Sequence, residues 1–140
     1  MEEIIDTIAE LLEGEECVFL HRETFEILSF PDPDRNEVWE DDYRIDDVLY
    51  LVETEPEKYL EFKPLDTKAS YRLMDDFVDT LLEVRLKRNL LEALNSKKPF
   101  RHFRQTVEQD GLTDEWFQYK RRRLKAVVLE GLEAGLLRET

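Results

Sequence analysis

Aromatic and cationic side chains are concentrated in one stretch of the chain, WFQYKRRRLKA, which runs from Trp116 to Ala126. Lys and Arg neutralise phosphates and aromatic rings stack on bases, so this combination is typical of a nucleic-acid surface. The same cations can instead be paired with the protein's own carboxylates, or lie on a solvated helix face. Both interpretations stay open, and we favour the second.

On a helix, these residues separate into two groups. At about 100° per residue, one face carries the following six side chains: Trp116, Phe117, Lys120, Leu124, Val127 and Val128. We interpret this face as core, which requires Lys120 to extend towards solvent or to meet a carboxylate. Tyr119 lies off that face, beside Arg123. The residues that we predict as a surface for an anionic partner are Arg101, Tyr119, Lys120, Arg122 and Arg123.

Metal ligands are sparse apart from one acidic tract, DPDRNEVWEDDY (32–43). This tract has suitable oxygen ligands at the first, third and fifth positions of an EF-hand loop. Glu37 stands where that loop needs glycine and Tyr43 where it needs glutamate, so we exclude an EF-hand. A weak Ca²⁺ or Mg²⁺ site is an alternative to a solvated acidic loop, and its candidate ligands are Asp41, Asp42, Asp46 and Asp47. One cysteine and two separated histidines form no zinc motif, and we predict no cofactor.

Catalytic motifs are absent from the sequence: it contains no G-x-S-x-G, no glycine-rich phosphate loop and no H-E-x-x-H. We expect His21, on a predicted strand, and His102, on a predicted helix, to be structural or to lie on the surface. His102 is the one residue that we name for an enzymatic alternative. Cys17 is expected to pack as a small apolar residue.

The composition is that of a folded protein. The 140 residues are 41% hydrophobic and include eight Phe and five Tyr, enough for the core of one domain. A single cysteine fits a reducing compartment. The acidic start does not resemble a signal peptide, and no apolar run approaches the ~20 residues of a membrane span. We therefore expect a single domain, cytoplasmic and without a membrane partner.

Charge is distributed unevenly along the chain, whose formal net charge is −14. Residues 1–66 contain five Lys and Arg against twenty-two Asp and Glu, whereas residues 67–140 contain fifteen against twelve. Such asymmetry indicates either an anionic partner or contact between the two parts, within one chain or between two copies.

Hydrophobic periodicity predicts the elements that position these residues. In the first part we predict helix 2–13, strands 17–22 and 25–30, loop 31–37, a helix capped by Asp46 and ended near Pro56, and strand 58–62. From Thr67 the period is helical, with an offset near Glu83, a helix from Pro99 to Gly111 and a final helix capped by Thr113. The predicted fold class is α+β, with a small antiparallel sheet, one or two N-terminal helices and a helical C-terminal half.

Spaced aromatic and basic residues carry a family resemblance. The segments KYLEFKPLD, SYRLMDDF, ALNSKKPFRHF and WFQYKRRRLKA place residues at matching intervals: Tyr71, Met74, Phe77, Ala93, Phe100, Arg101, Phe103, Trp116, Phe117, Lys120 and Arg123. From Tyr59 to Leu132 the chain resembles the bacterial uncharacterised protein family 0158. It departs from the family at Phe25, where a glycine is usual, at 96–99, where glycines are replaced, and at Gly131, where a tryptophan is usual. The resemblance implies no established activity.

These observations lead to a ranked set of functions. The first is a non-enzymatic cytosolic interaction module whose partner is an unknown protein or a second copy of the chain. The alternative is an RNA- or DNA-binding protein that uses the same basic helices. An enzyme using His102 ranks third.

Overall fold

The computed structural model describes residues 1–35 and 44–137, with side chains up to Leu136. The elements in chain order are α1 (Glu2–Glu13), β1 (Glu16–His21), β2 (Ile27–Pro31), α2 (Arg44–Thr54), a 3₁₀ turn (Pro56–Lys58), β3 (Tyr59–Phe62), α3 (Thr67–Asp79), α4 (Val84–Leu94), α5 (Pro99–Gln109) and α6 (Thr113–Leu137). The predicted α+β class, with a small antiparallel sheet and a helical C-terminal half, is confirmed.

The chain forms two compact units. The sheet unit comprises the described residues of Met1–Pro64 and Leu124–Thr140, and the helical unit comprises Leu65–Arg123. Helix α6 therefore begins in the helical unit and continues in the sheet unit. The predicted charge asymmetry follows this division. The sequence of the sheet unit carries seven Lys and Arg against twenty-four Asp and Glu, and that of the helical unit thirteen against ten.

The sheet has strand order β2-β1-β3, and both pairings are antiparallel. Alternation of side chains along β1 gives the sheet two apolar faces. On one face Phe19 packs with Phe30, at a ring-centroid distance of 5.9 Å, and with Val48 from α2. On the other face β1 carries Val18 and Leu20, both with 0% exposure. The predicted hairpin of residues 17–30 is present, with strand ends shifted by one or two residues.

Helix α6 approaches β3 closely because it has no side chain at two contact positions. A Cβ atom on Gly131 would lie 2.7 Å from Cε1 of Phe62, and a Cβ on Gly135 would overlap Cδ2 of Leu60. A larger side chain at Gly131 would meet the ring of Phe62.

The hairpin turn is held by His21 rather than by a glycine. Nδ1 of His21 accepts hydrogen bonds from the backbone N–H groups of Glu23 and Thr24, each at 3.1 Å. The imidazole also meets the ring of Tyr59 edge-on, at 5.1 Å between centroids. Phe25 adopts a φ of 62°, in the left-handed region that favours glycine. His21 therefore has the structural role that the sequence predicts.

In the helical unit, three aromatic rings form the centre of the core. Phe103 lies 5.0 Å from Trp116 and 6.4 Å from Phe77, measured between ring centroids. The unit begins at a capped helix, since Oδ1 of Asp66 accepts from the backbone N–H of Ala69 at 2.7 Å. The turn before α6 contains Gly111 with a φ of 71°, which is a left-handed conformation that favours glycine.

Two predicted helix caps lie inside their helices. Asp46 is in the first turn of α2, which already includes Arg44. Thr113 is the first residue of α6, and Asp114 and Glu115 follow it in the first turn, as predicted. Carboxylates in the first turn stabilise a helix through its dipole, so these side chains serve the same end as a cap.

Candidate interaction surface on the helical unit

The buried side of α6 changes direction along the helix. Trp116, with 7% exposure, and the half-buried Tyr119 pack into the helical unit. Leu124, Val128 and Leu132 are at most 3% exposed and belong to the sheet unit. The residues buried in the two parts of α6 therefore do not form one continuous stripe at helical spacing.

The burial pattern of α6 corrects the prediction that one continuous face of this helix is core. Phe117 is 55% exposed and Val127 is 45% exposed, although both were predicted to be buried. Phe117 lies in the first part of α6, at an angle around the helix where side chains are buried only in the second part. Val127 lies in the second part, at an angle where side chains are buried only in the first part. An exposed phenylalanine near the start of α6 is the consequence.

Three of the five predicted surface residues lie together around one aromatic ring. The guanidinium carbon of Arg123 lies 5.7 Å from the ring centroid of Tyr119, and that of Arg122 lies 6.0 Å away. Nη1 of Arg123 also donates to the phenolic oxygen of Tyr119 at 2.7 Å. The ring itself packs on Phe77 at 5.3 Å between centroids. The sequence missed this packing because Tyr119 lies off the predicted core face.

Arg122 and Arg123 differ in their electrostatic environment. Nη2 of Arg123 forms an ion pair with Oδ2 of Asp76 on α3 at 3.2 Å. Arg122 is exposed, and within the described ranges 1–35 and 44–137 its guanidinium contacts the Tyr119 ring without forming a hydrogen bond or ion pair. Arg123 is therefore held within the helical unit, whereas the charge of Arg122 is available to a partner.

The remaining two predicted residues are not part of this cluster. Arg101 is exposed on α5, and no side-chain bond joins it to Tyr119 or to the two arginines in the part of the chain that the structure describes. Lys120 is half-buried between Trp116 and Leu124 along the helix. Its burial fits an aliphatic stem lying along apolar neighbours.

An apolar groove lies beside Tyr119 and Arg122. It has a volume of about 430 Å³, and its lining residues are Phe77, Thr80, Leu81, Leu82, Glu83, Leu86, Leu112, Glu115, Gln118, Tyr119 and Arg122. At its edge Leu82, in the turn between α3 and α4, is 98% exposed, although the adjacent Leu81 is only 8% exposed. A single exposed leucine is common on protein surfaces, so the candidate surface is defined by Leu82 together with the adjacent groove.

Sequence reasoning missed this groove, although one signal was present. Leu81 and Leu82 are consecutive leucines, and Glu83 directly after them marks the predicted offset between two helices. In a short turn between helices, two adjacent side chains point in different directions, so only one of them reaches the core. The other leucine then lies on the surface.

A second, polar pocket surrounds the predicted enzymatic candidate His102. It has a volume of about 270 Å³ between α4 and α5, and is lined by Asn89, Glu92, Ala93, Ser96, His102, Gln105, Thr106 and Gln109. Nδ1 of His102 lies 2.6 Å from Oγ of Ser96, and that hydroxyl lies 2.6 Å from the carbonyl oxygen of Ala93.

The single hydrogen of the Ser96 hydroxyl determines which group donates in each of these two contacts. A serine hydroxyl has one hydrogen, so if Ser96 donates to the carbonyl of Ala93, Nδ1–H of His102 must donate to Ser96. In that arrangement His102 does not accept the serine proton, and Ser96 is not activated as a nucleophile. The contacts join the end of α4 to the start of α5.

The described residues contain neither a cluster of metal ligands nor a helix that could span a membrane. Over residues 1–35 and 44–137, no three His, Cys, Asp or Glu side chains are grouped as metal ligands would be. Of the four aspartates predicted as an alternative cation site, Asp41 and Asp42 lie outside the described residues, and Asp46 and Asp47 are exposed on α2. Within the same ranges, every helix is too short or too polar to cross a bilayer.

The single cysteine is half-buried on β1 and packs against the core of Phe19 and Phe30. Burial raises the pKa of the Cys17 thiol above its ordinary value, and the nearby carboxylates of Asp32 and Glu61 raise it further. A thiol with a raised pKa is a poor nucleophile at neutral pH, so Cys17 has the packing role that the sequence predicts.

Comparison with known proteins gives a family but no activity. The UPF0158 protein PA5073 of Pseudomonas aeruginosa (strain PAO1) is 38% identical over 84 residues, which are 59% of this chain and 55% of that protein. The chain thus spans about half the length of this relative. No solved structure matches. The model of an uncharacterised protein family, UPF0158, matches residues 3–138. The chain belongs to the uncharacterised protein family UPF0158.

Proposed function

We propose that the chain is a non-enzymatic, cytosolic interaction module whose partner is a protein. The observation that carries this proposal is the groove beside Tyr119 and Arg122, with Leu82 exposed at its edge. Burying one leucine on association contributes about 1.5–3 kcal/mol. A partner that covers this side chain and supplies a carboxylate to Arg122 therefore gains both an apolar and an ionic contact.

The surroundings of Tyr119 favour a protein over a nucleic acid. Base stacking needs a free ring face. The ring of Tyr119 packs on Phe77, and the guanidinium groups of Arg122 and Arg123 lie within 6.0 Å of its centroid. Asp76 already neutralises Arg123, which leaves one arginine of this cluster for a phosphate.

The experiment is site-specific photo-crosslinking in the organism that encodes the chain. The crosslinking residue p-benzoylphenylalanine is placed at Gln118, which lines the groove, and in a separate variant at Gln105, which lines the polar pocket. We expect a discrete protein adduct from position 118 that is lost when Leu82→Glu is added. The protein identified in that adduct, once purified, must bind the full chain and lose affinity for the Leu82→Glu variant.

Two outcomes contradict the proposal. One is the absence of any protein adduct from position 118. The other is a set of adducts that is the same from positions 118 and 105, because the groove would then have no specific partner. Since Leu82 is 98% exposed, its replacement removes no buried contact, and the thermal melt of Leu82→Glu should match that of the unaltered chain.

The second candidate function is binding of RNA or DNA. One feature favours it: α5 begins among exposed cations, with Lys97 and Lys98 before it and Arg101 in its first turn, where no acidic residue is present. Cations at this end of a helix oppose the dipole, but together with the backbone N–H groups they attract phosphate. Fluorescence anisotropy of a short RNA and of a DNA duplex tests this function, since a contact between protein and phosphate weakens steeply with salt.

A further inference from the structure

We infer that the partner of the groove is a second copy of this chain, bound across a two-fold axis by mutual insertion of Leu82. This inference rests on the proposed function of the groove and names its occupant. In a two-fold dimer the same patch faces itself, so the patch must contain both a projecting group and the cavity that receives it. The α3–α4 turn and the groove supply these two parts side by side.

The projecting group is Leu82, which is 98% exposed. The receiving cavity has a floor of apolar side chains, including Phe77, Leu86 and Leu112, and a volume of about 430 Å³. A closed apolar cavity of about 150 Å³ is large enough for benzene, so this groove has room for the four carbons of a leucine side chain. The leucine and the groove lie side by side on one surface, as a two-fold contact requires.

The rim of the groove carries charges of both signs, so the rims of two facing copies can be complementary. A patch with charges of one sign repels a second copy, whereas this rim carries Glu83 and Glu115 together with Arg122. In its own chain Glu83 lies 3.8 Å, Oε1 to Nη2, from Arg85 in an exposed ion pair that contributes little. Glu83 directly follows Leu82 in the chain, so the inserted leucine brings Glu83 to the rim of the facing groove. Arg122, which forms no ion pair with any described residue, is on that rim. The two-fold axis then produces the Glu83–Arg122 pair twice.

Sedimentation velocity of the full chain, from low micromolar to submillimolar concentration, tests this inference first. We expect the unaltered chain to convert from monomer to dimer. Leu82→Glu should weaken this association by at least about a hundredfold, because the dimer loses both leucines. The matched control is Leu91→Glu, at an exposed leucine of α4 that does not line the groove, which should dimerise like the unaltered chain.

Charge exchange tests the two-fold pairing itself. Arg122→Glu alone and Glu83→Arg alone each place like charges opposite one another twice, so each variant should dimerise more weakly than the unaltered chain. In a mixture of the two variants, both pairs regain opposite charges, and a heterodimer should form. A change in folding alone does not produce this recovery, because the two chains are altered separately.

The outcomes separate this inference from the proposed function. A chain that stays monomeric at all concentrations overturns the inference, as does a dimer that Leu82→Glu leaves intact or a mixture that shows no recovery. If a monomeric chain still gives a Leu82-dependent crosslink from position 118 to a different protein, the proposed function stands with another occupant. If no protein adduct forms there, both fail.

Discussion

Reversing the charge of Arg123 should destabilise the helical unit, whereas reversing that of Arg122 should not. Arg123 forms an ion pair with Asp76 at 3.2 Å, with side-chain exposures of 47% and 37%, and donates to Tyr119. An ion pair this exposed contributes about 0.2–1 kcal/mol and an exposed cation–π contact about 0.5–1 kcal/mol. Arg123→Glu loses both and places two carboxylates together, so we expect a loss of about 1–2 kcal/mol.

Arg122→Glu is the charge-matched control. Its guanidinium carbon lies 6.0 Å from the Tyr119 centroid, at the limit of a cation–π contact, and we expect its loss to cost at most about 0.5 kcal/mol. The assay is urea unfolding at a concentration below the onset of dimerisation, because association would itself stabilise the folded chain. It uses a Trp39→Phe background, where Trp116 becomes the sole tryptophan and reports on the core of the helical unit. Adding Asp76→Lys to Arg123→Glu restores an opposite pair and should recover part of the loss. Equal effects of the two reversals, or no recovery, would refute the argument.

Three further changes test the sheet unit. Gly131→Ala should destabilise the sheet unit by about 1–2 kcal/mol in urea unfolding, because the added Cβ would lie 2.7 Å from the ring of Phe62. This cost exceeds the gain from the better helix propensity of alanine, and adding Phe62→Leu should reduce it. His21→Ala should cost about 0.5–1.5 kcal/mol, because two hydrogen bonds of the exposed turn are exchanged for bonds to water. His21→Asn, whose side-chain oxygen can accept, should cost less in the same assay. Cys17 should react with iodoacetamide more slowly than free cysteine at pH 8, and Asp32→Asn should accelerate this reaction. Because the pKa of the thiol is raised in the folded chain, the neutral thiol contributes its full stability below the ordinary thiol pKa. That contribution is lost as pH rises through the raised pKa.

Local signals in the sequence were sufficient for most of the fold. The start of α5 at Pro99 and the helix stop near Gly111 follow from backbone chemistry that acts within a few residues. The hairpin of β1 and β2 follows from two apolar runs around a short polar break. The largest shift is at the start of α2, which lies three residues earlier than a cap at Asp46 predicts, because an aspartate is favourable both as a cap and inside the first turn.

The candidate site depended on information that a local pattern does not contain. The exposure of Phe117 follows from a helix that packs in two units with different sides, and a single periodicity averages over both. The pairing of Arg123 joins residues 47 positions apart, so the sequence offered three adjacent arginines with no means to distinguish them. Leu82 lies in a turn, where helical periodicity does not predict which way a side chain points.

Salt distinguishes the two binding functions because it acts on them in opposite directions. Each chain carries a formal net charge of −14, so two copies repel one another at long range. The Debye length falls from about 30 Å at 0.01 M to about 10 Å at 0.1 M salt, which screens this repulsion, while the contact made by Leu82 is apolar and is retained. Self-association through the groove should therefore strengthen between these two concentrations. Binding of a nucleic acid by the cations before α5 must weaken over the same interval, by about one order of magnitude in affinity for each tenfold rise in salt and each phosphate contact. Parallel titrations by sedimentation and by anisotropy measure both slopes. A dimer that dissociates as salt rises would show that the Glu83–Arg122 pairs, rather than Leu82, hold the two copies together.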